Sequence, residues 1–155
     1  MFSEENAAAG VTFARGFKAA GVKAGIKKSG NLDLAMIYTE KEASVAGVFT
    51  QNAAAAAPVI VSREVVKSGS AHAIVANAGC ANACTGEVGL ANAHKMAALA
   101  AEELGCKADD VLVGSTGIIG VNLPMDKLAA GIKAAAAELS EDGSKNAGNA
   151  IITTD

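Results

Sequence analysis

The chain has 155 residues, of which 51% are hydrophobic, 19% charged and only 3% aromatic, and its formal net charge is −3. This much apolar material excludes an intrinsically disordered protein. The mildly acidic balance argues against a nucleic-acid-binding protein, because the densest basic group, Lys23, Lys27 and Lys28, predicts only a solvated edge. No apolar run reaches the roughly 20 residues that span a bilayer.

The N-terminal half of the chain predicts short strands joined by turns. Glycines are frequent over residues 14–26, which favours turns and short strands over a helix. Apolar runs bounded by turn residues predict three further strands, over 32–38, 44–49 and 58–61. The charged residues at 40–42 predict a turn between the first two of these strands. Ser62 is the candidate N-cap of a short helix that follows the third.

The middle of the chain predicts a strand, a polar loop and a long helix. Residues 73–77 are typical of a buried strand, and small polar residues at 78–85 indicate the loop that follows it. Apolar residues then recur at helical spacing over 89–104, and Gly105 is expected to end that helix.

The last third of the chain predicts a brief strand at 111–113, a glycine-punctuated turn at 114–120 and a second helix over 124–139 that begins at Pro124. The tail, 150–155, predicts the start of another strand. Strands alternating with helices predict an α/β or α+β architecture of packed layers. Because a core of small side chains buries little apolar area, and each buried methylene contributes only about 0.8 kcal/mol, we expect a partner chain to complete it.

The turn at 114–120 is the segment whose residues come nearest to a catalytic motif. It lacks the lysine of a phosphate-binding P-loop and the spacing of a dinucleotide-binding loop, and Ser115 does not lie in a hydrolase nucleophile elbow. Two interpretations remain: backbone N–H donors for an oxyanion, or an ordinary tight turn. Residue chemistry alone favours the ordinary turn.

The cysteines and the loop around them predict neither a metal site nor a disulfide framework. Cys80, Cys84 and Cys106 have irregular spacing, which predicts free thiols in a reduced compartment and makes the cytoplasm the expected location. No histidine completes a zinc site with Cys80 and Cys84. Asn, Thr and Gly are dense over 77–86, which indicates a loop fixed by side-chain hydrogen bonds, and such loops often border a site.

Nine segments in order resemble the ornithine acetyltransferase (bifunctional glutamate N-acetyltransferase) family of arginine biosynthesis. They are GFKAAG at 16–21, GIKK at 25–28, LDLA at 32–35, AGVFT at 46–50, APV at 57–59, NACTG at 82–86, STGIIG at 115–120, LPM at 123–125 and AIITTD at 150–155. Individually several of these segments are short, and it is the ordered set that carries the resemblance.

The resemblance implies an N-terminal-nucleophile-like layered sandwich, formed when a precursor cuts itself at an Ala-Thr bond. The freed threonine of the β chain is then the nucleophile that moves an acetyl group from N-acetylornithine to glutamate. Residues 1–155 would form a single α-chain domain, completed by the β chain in an α2β2 hetero-oligomer. No cofactor is expected, and the resemblance leaves open whether acetyl-CoA is also a substrate, as in the bifunctional members.

The resemblance also assigns site residues. It implies that the Thr116 side chain and the Gly117 backbone form an oxyanion hole, and that a threonine at the tail contacts the substrate, with Thr153 favoured and Thr154 left open. Cys80 departs from the family, which usually has asparagine there. None of the seven threonines follows an alanine, so we expect the scissile bond and the nucleophile downstream of Asp155.

Two other functions remain as alternatives to an acyltransferase subunit. The same architecture serves N-terminal-nucleophile aminopeptidases and amidases, in which water replaces glutamate as the acceptor. An alanine-rich chain without a nucleophile is also compatible with a small α/β binding or scaffold domain. A downstream Ala-Thr segment with a companion chain would exclude the scaffold, and an acceptor assay would separate transferase from hydrolase.

Overall fold

A four-stranded mixed sheet organises residues 10–153, which are the residues that the computed structural model describes. The strands, in their order across the sheet, are β1 (Phe17–Val22), β2 (Leu34–Ser44), β3 (Ser70–Cys80) and β4 (Val111–Ile118). The pairs β1–β2 and β2–β3 are antiparallel, whereas β3 and β4 are parallel. Parallel strands need a crossover connection, and a long helix supplies it here.

Four α-helices and two short 3-10 turns complete the described part of the chain. The helices are α1 (Ala57–Val66), α2 (Gly86–Leu104), α3 (Met125–Ala137) and α4 (Ser144–Ile151), and the 3-10 turns are Gly10–Thr12 and Ala108–Asp110. None of the helices within residues 10–153 has both the length and the apolar character needed to cross a membrane.

The main hydrophobic core lies between one face of the sheet and helices α1, α2 and α3. The strand residues that face it alternate along each strand, as a half-buried sheet requires, and are Ala20, Val22, Leu34, Met36, Ala73, Val75, Val111 and Val113. The helices contribute small and aliphatic side chains, chiefly Val61, Ala93, Met96, Ala97, Ala100, Leu128, Ile132 and Ala135. The layered mixed α/β architecture that the sequence predicts is therefore confirmed.

Helix α4 packs on the opposite face of the sheet, where it covers β1 and β2. Its residues Ala147 and Ala150 form a second apolar cluster with Ala19 and Ala35, the strand residues whose neighbours face the main core. The contact is close, because a Cβ added at Gly21 would lie 2.0 Å from a backbone oxygen of α4. Only glycine fits at that position.

The rest of this face, over β3 and β4, is left open by the described residues. The strand register pairs Ile37 with Ile74 and Ile74 with Leu112, so the three side chains form a row across the sheet, called here the open-face row. Ile74 is 42% exposed, and the row lines a shallow concavity together with Phe17. A sheet face that carries aliphatic side chains and no covering layer is an incomplete layer architecture.

The buried strand and the two long helices confirm the sequence predictions for those segments. β3 contains the predicted strand at 73–77, and α2 contains the predicted helix at 89–104. That helix ends where Gly105 takes a left-handed φ of 69°. α3 lies within the predicted 124–139 and follows Pro124 directly. In each of these segments, the spacing of apolar residues along the sequence matches the face that the element buries.

The predicted turn at 40–42 is wrong, because β2 continues through these residues. Pairing of β2 with β3 runs to Tyr38 and resumes at Ala43 after a shift of register. The charged residues therefore lie at a bulge on the strand, where the Lys18 ammonium forms an ion pair with Glu40 at 2.9 Å. The predicted strand at 44–49 is also wrong, since β2 ends at Ser44 and 45–50 have no regular structure.

The predicted strand at 58–61 is wrong, because these residues belong to helix α1. Pro58 occupies the start of the helix, where its missing N–H costs nothing, and Val61 and Val65 bury one helical face. Ser62 is consequently not an N-cap but lies inside the helix. Its hydroxyl donates to the Val113 carbonyl at 2.8 Å and accepts from the Val113 N–H at 2.9 Å. Both main-chain groups of Val113, at the outer edge of β4, therefore have a hydrogen-bond partner.

Two other segments predicted as irregular or extended have different structures. The predicted loop at 78–85 begins only after Cys80, and the predicted turn at 114–120 is strand as far as Ile118, because β3 and β4 pair in register to their ends. The predicted strand at 150–155 is wrong for the residues described, since α4 runs to Ile151. Residues 154 and 155 lie outside the described residues.

Candidate active site

Thr116 and Gly117 lie near the C-terminal end of β4, and both are exposed. The register pairs Ala78 with Thr116 and Gly79 with Gly117. Because side chains alternate along a strand, Thr116 lies on the same face of the sheet as Leu112 of the open-face row. The Thr116 hydroxyl is therefore on the side of the sheet that α1, α2 and α3 do not cover.

Gly117 occupies a position that no other residue type fits. Its φ is 130°, and a Cβ added there would lie 2.4 Å from the carbonyl carbon of Gly79 and 2.7 Å from the nitrogen of Cys80. Two backbones approach here without an intervening side chain, as glycine permits. This packing explains the glycine by itself, and it also leaves the main chain at Gly117 uncovered by any side chain of its own.

The outer edge of β4 presents main-chain groups that β3 does not use. Val113 turns both its N–H and its carbonyl to this edge, where they bond to Ser62. The β3–β4 register is unbroken from Val111 to Ile118, so the main-chain groups of Ser115 and Gly117 are expected at the same edge. A Gly117 N–H in this orientation has no partner among residues 10–153 and can donate to another group.

Asn77 holds the strand immediately before Thr116. Its side chain is fully buried, and its amide nitrogen donates to the Cys80 carbonyl at 2.9 Å. The Ser115 hydroxyl donates to the amide oxygen of Asn77 at 2.6 Å. The C-terminal parts of β3 and β4 are thus both tied to one buried amide. The sequence does not predict this role of Asn77, because Asn77 and Ser115 are far apart in sequence and only strand pairing brings them together.

The loop after β3 is fixed by side-chain hydrogen bonds, as its composition predicted. Asn82 is fully buried, donates to the Gly89 carbonyl at 2.9 Å and accepts from the Thr85 hydroxyl at 2.9 Å. Asn82 and Cys84 both have positive φ, at 48° and 56°. The loop also bonds the end of β4, because the Gly120 N–H donates to the Ala83 carbonyl at 2.9 Å. It is therefore tied to the chain just after Thr116 and Gly117.

The loop between β1 and β2 is organised by a buried carboxylate that the sequence analysis also missed. Asp33 is fully buried, and its two oxygens accept the N–H groups of Ala24 at 2.6 Å, Ile26 at 2.6 Å and Lys27 at 2.8 Å. A carboxylate bonded to several backbone N–H groups is a strong anchor. This anchor fixes the main chain from which the Lys27 side chain leaves.

Lys27 does not lie at a solvated edge as predicted. The side chain is half-buried, and its ammonium group donates to three main-chain carbonyls, those of Leu32, Ala150 and Ile152. Lys23 and Lys28 are exposed, in keeping with the prediction.

Thr153 follows the end of α4 and is half-buried. It lines a surface depression with Lys27, Ser29, Asn31 and Ile152. The companion candidate, Thr154, lies outside the described residues.

One path of contacts connects the candidate oxyanion residues to the candidate substrate threonine. Gly117 packs against Gly79, and a Cβ added at Gly79 would lie 3.1 Å from a side-chain carbon of Ile26 and 3.3 Å from one of Lys27. The Lys27 ammonium then binds the carbonyl of Ile152, the residue before Thr153. The ends of β4 and α4 are thereby held through the same loop.

Hydrogen bonds are the polar interactions that the described residues make in this region. No group of three or more His, Cys, Asp or Glu side chains within residues 10–153 is arranged to hold a metal ion. Cys80 is buried, Cys84 exposed and Cys106 half-buried, all as free cysteines. Burial raises the pKa of the Cys106 thiol, and the charge of Asp110 adds to this. The hydrogen bond and the charge of Lys18 lower the pKa of Glu40, on the distant bulge.

The family profile described as the ArgJ family matches residues 18–155. The chain is 55% identical over 146 residues to the arginine biosynthesis bifunctional protein ArgJ of Streptomyces coelicolor, covering 94% of this chain and 38% of that protein. It is 54% identical over 141 residues to the protein of the same name from Caldanaerobacter subterraneus, covering 91% and 35% respectively. The chain therefore spans less than half the length of the curated relatives it matches.

Solved structures match the fold as well as the sequence. The chain is 46% identical to an ornithine acetyltransferase from Mycobacterium tuberculosis crystallised with ornithine, with a TM-score of 0.93 over 96% of this chain and 81% of that chain. It is 40% identical to the arginine biosynthesis bifunctional protein ArgJ of Bacillus halodurans, with a TM-score of 0.88 over 96% of this chain and 78% of that chain.

Proposed function

The chain belongs to the ArgJ family, and from that premise we propose that it is the α-chain part of a glutamate N-acetyltransferase of arginine biosynthesis. The full enzyme moves an acetyl group from N2-acetylornithine to glutamate. The observation that carries the proposal is the pairing of an exposed hydroxyl and a strand-edge N–H at Thr116 and Gly117, on a backbone held by the buried amide of Asn77.

The proposed reaction proceeds in two acyl transfers through an N-terminal threonine of a β chain. The threonine hydroxyl attacks the acetyl carbonyl carbon of N-acetylornithine, its proton passes to the departing amine, and ornithine leaves. The α-amine of that threonine has a reference pKa of about 7.7–8.0 and is the nearby base. The α-amine of glutamate then attacks the acetyl-threonine ester, which releases N-acetylglutamate and restores the hydroxyl.

Thr116 and Gly117 contribute the oxyanion hole in this proposal. Each tetrahedral intermediate places a negative charge on the former carbonyl oxygen, and donors that are already oriented stabilise it without reorganising. One such side-chain donor typically contributes about 2.7–4 kcal/mol to the transition state. Thr116 would donate its hydroxyl and Gly117 its main-chain N–H, while Thr153, or else Thr154, would contact the amino-acid part of the substrate. No cofactor is required, and acetyl-CoA remains a candidate second acetyl donor.

A β chain from the same precursor is the proposed partner. Almost the whole of this chain aligns with both the Streptomyces coelicolor protein and the solved chain from Mycobacterium tuberculosis. The aligned part is 38% of the first but 81% of the second, so the solved chain is much shorter than the curated relative. A precursor divided into two chains accounts for that difference. The β chain would cover the open-face row and bring its threonine to the same side of the sheet as Thr116, within a cytoplasmic α2β2 assembly. Residues 1–155 would then be one domain of the α chain.

An acceptor assay on the full-length protein tests the proposal. The full-length gene product is incubated with N-acetylornithine labelled in the acetyl group, with and without glutamate. We expect label in N-acetylglutamate and little free acetate. Free acetate formed equally without glutamate would identify a hydrolase, and no loss of label from the donor in either arm would refute the acyltransferase. Intact mass of the two chains after assembly would show whether cleavage precedes a threonine.

A further inference from the structure

We propose that Lys27 is a positioning residue that fixes the main chain carrying Thr153, so that this threonine keeps a constant place relative to Thr116 and Gly117. The proposal rests on the proposed function, since Thr153 is the substrate contact assigned there. It concerns a residue whose ammonium group bonds three main-chain carbonyls of this chain, and it assigns no direct contact of Lys27 with substrate.

The first observation is that the Lys27 ammonium is fully used by backbone carbonyls. It donates to Leu32 at 2.8 Å, to Ala150 at 3.3 Å and to Ile152. An ammonium group has three N–H donors and no acceptor, so three carbonyls match its capacity. Ile152 is directly followed by Thr153, which places one end of this network next to the candidate substrate threonine.

The second observation is that Lys27 caps a helix whose end would otherwise be unsatisfied. Ala150 lies in the last turn of α4, where carbonyls have no partner within the helix and a positive charge is favourable. Ile152 is already extended, with a φ of −65° and a ψ of 132°. The ammonium thus bridges the last helical turn and the extended residue after it, and it determines the direction in which the chain leaves α4.

The third observation is that the other end of the lysine is equally fixed. The Lys27 N–H donates to the buried carboxylate of Asp33 at 2.8 Å, and the same carboxylate holds Ala24 and Ile26. A lysine that is fixed at both its backbone and its ammonium group holds the two segments it contacts at a constant distance, whereas a lysine with a free ammonium group does not. The neighbouring Lys28 is exposed and provides the comparison.

The fourth observation is that the Lys27 stem packs beside the candidate oxyanion hole. A Cβ added at Gly79 would lie 3.3 Å from a carbon of that stem, and Gly79 is the residue against which Gly117 packs. One side chain therefore lies beside Gly79, which supports Gly117, and also binds the carbonyl of Ile152, the residue before Thr153. Acyl transfer requires both groups in register, since a misplacement of about 1 Å can cost on the order of 10²-fold in rate.

The kinetic test uses the assembled full-length enzyme with Lys27→Met, which keeps an apolar stem and removes all three donors. We expect kcat/KM for N-acetylornithine to fall about 10–100-fold. Lys28→Met, the matched control, should leave it unchanged. Lys27→Arg keeps the charge, but its planar donors cannot converge on three carbonyls in the same way, so an intermediate loss is expected. An unchanged kcat/KM in Lys27→Met would overturn the proposal.

A double-mutant cycle separates positioning from general structural support. If Lys27 acts through Thr153, adding Lys27→Met to Thr153→Ala should cost little more than Thr153→Ala alone. Losses that multiply across the two variants would mean that Lys27 acts elsewhere, and the proposal would be wrong. Lys27→Arg replaces Lys27→Met in the same cycle if the methionine variant does not assemble.

A third measurement does not depend on activity. Hydrogen exchange of the segment 147–153 in the assembled protein should be faster in Lys27→Met than in the wild type, and unaltered in Lys28→Met. Unaltered exchange in Lys27→Met would contradict the positioning role. If the wild-type protein fails to acetylate glutamate, the proposed function is wrong, and the exchange result still decides whether Lys27 fixes this segment.

Discussion

At the scale of single residues, Thr116 is the side chain whose removal best tests the oxyanion hole. It is exposed at the end of β4, and Thr116→Ala removes its hydroxyl without altering the pairing of the strand. If the hydroxyl meets the oxyanion only as charge develops, kcat and kcat/KM should fall together, by about 10²–10³-fold. Steady-state kinetics of the assembled enzyme with N-acetylornithine and glutamate measures both.

Thr116→Ser is the matched variant for this prediction, because it keeps the hydroxyl and loses only the methyl group that restricts its rotamer. We expect it to retain much of the activity. A purely structural role as a cap predicts a different result, a loss of roughly 1 kcal/mol of stability. Near-normal kcat in Thr116→Ala beside a lowered melting temperature would therefore rule out the catalytic role.

The cysteines allow a second prediction at this scale. The raised pKa of Cys106, caused by burial and then by the charge of Asp110, means that its thiolate appears only at higher pH. Because the thiolate is the nucleophile, iodoacetamide should modify Cys106 more slowly in the native protein than in the denatured chain, with a pH profile shifted upward. Peptide mass spectrometry of timed samples checks this. Equal rates in the native and denatured samples would contradict it.

The role of a residue could be predicted from the sequence where the residue belongs to a recognisable motif. It could not be predicted where only the fold brings the interacting residues together. Thr116, Gly117 and Thr153 came from local segments that resemble a family. Asn77 and Lys27 did not, because the Ser115 hydroxyl and the Ile152 carbonyl reach them across 38 and 125 positions of sequence. Long-range hydrogen bonds of this kind leave no spacing signal, since each partner is an ordinary polar or charged residue.

At the scale of elements, the junction of α1 and β4 depends on one hydroxyl. Ser62 is buried and bonds both main-chain groups of Val113. Ser62→Ala leaves a buried N–H and a buried carbonyl without a partner, which should cost about 1–3 kcal/mol. Thermal melting of the assembled protein measures the effect, and Ser44→Ala, at an exposed position at the end of β2, is the control. An equal effect of the two substitutions would show that Ser62 does not secure this edge.

Element type was predictable where periodicity and packing agree, as in α2 and β3. It was predicted wrongly at α1 and at the end of α4, because β-branched residues at 59–61 and 151–154 favour a strand. In α1, Pro58 at the first helical turn and the four-residue spacing of Val61 and Val65 carry the correct signal. In α4, Ala147 and Ala150 pack against Ala19 and Ala35, and a contact with distant strands is invisible in a local window of sequence.

At the scale of the whole molecule, the sheet is covered by helices on one face and only partly covered on the other. α4 covers β1 and β2 with alanines, whereas Ile74 of the open-face row remains 42% exposed. A second sheet layer placed there would complete a sandwich, bury that row and lie on the side of Thr116. The partner chain that the small-residue core leads us to expect would therefore cover this face of the sheet.

The isolated chain should consequently lack a cooperative fold. Its core is rich in alanine. Within residues 10–153, the aliphatic sheet face over β3 and β4 has no covering layer, and the β4 edge after Val113 is unpaired. Such surfaces promote association between copies. We expect residues 1–155 expressed alone to aggregate or to bind a hydrophobic dye without a sharp thermal transition, as molten states do. Co-expression with the downstream part of the precursor should restore a single sharp transition and abolish dye binding.

Ile74→Thr in the isolated chain should reduce aggregation without restoring the transition, since it removes exposed apolar area but supplies no covering layer. A sharp, reversible melt of the isolated chain would show that the open face needs no partner.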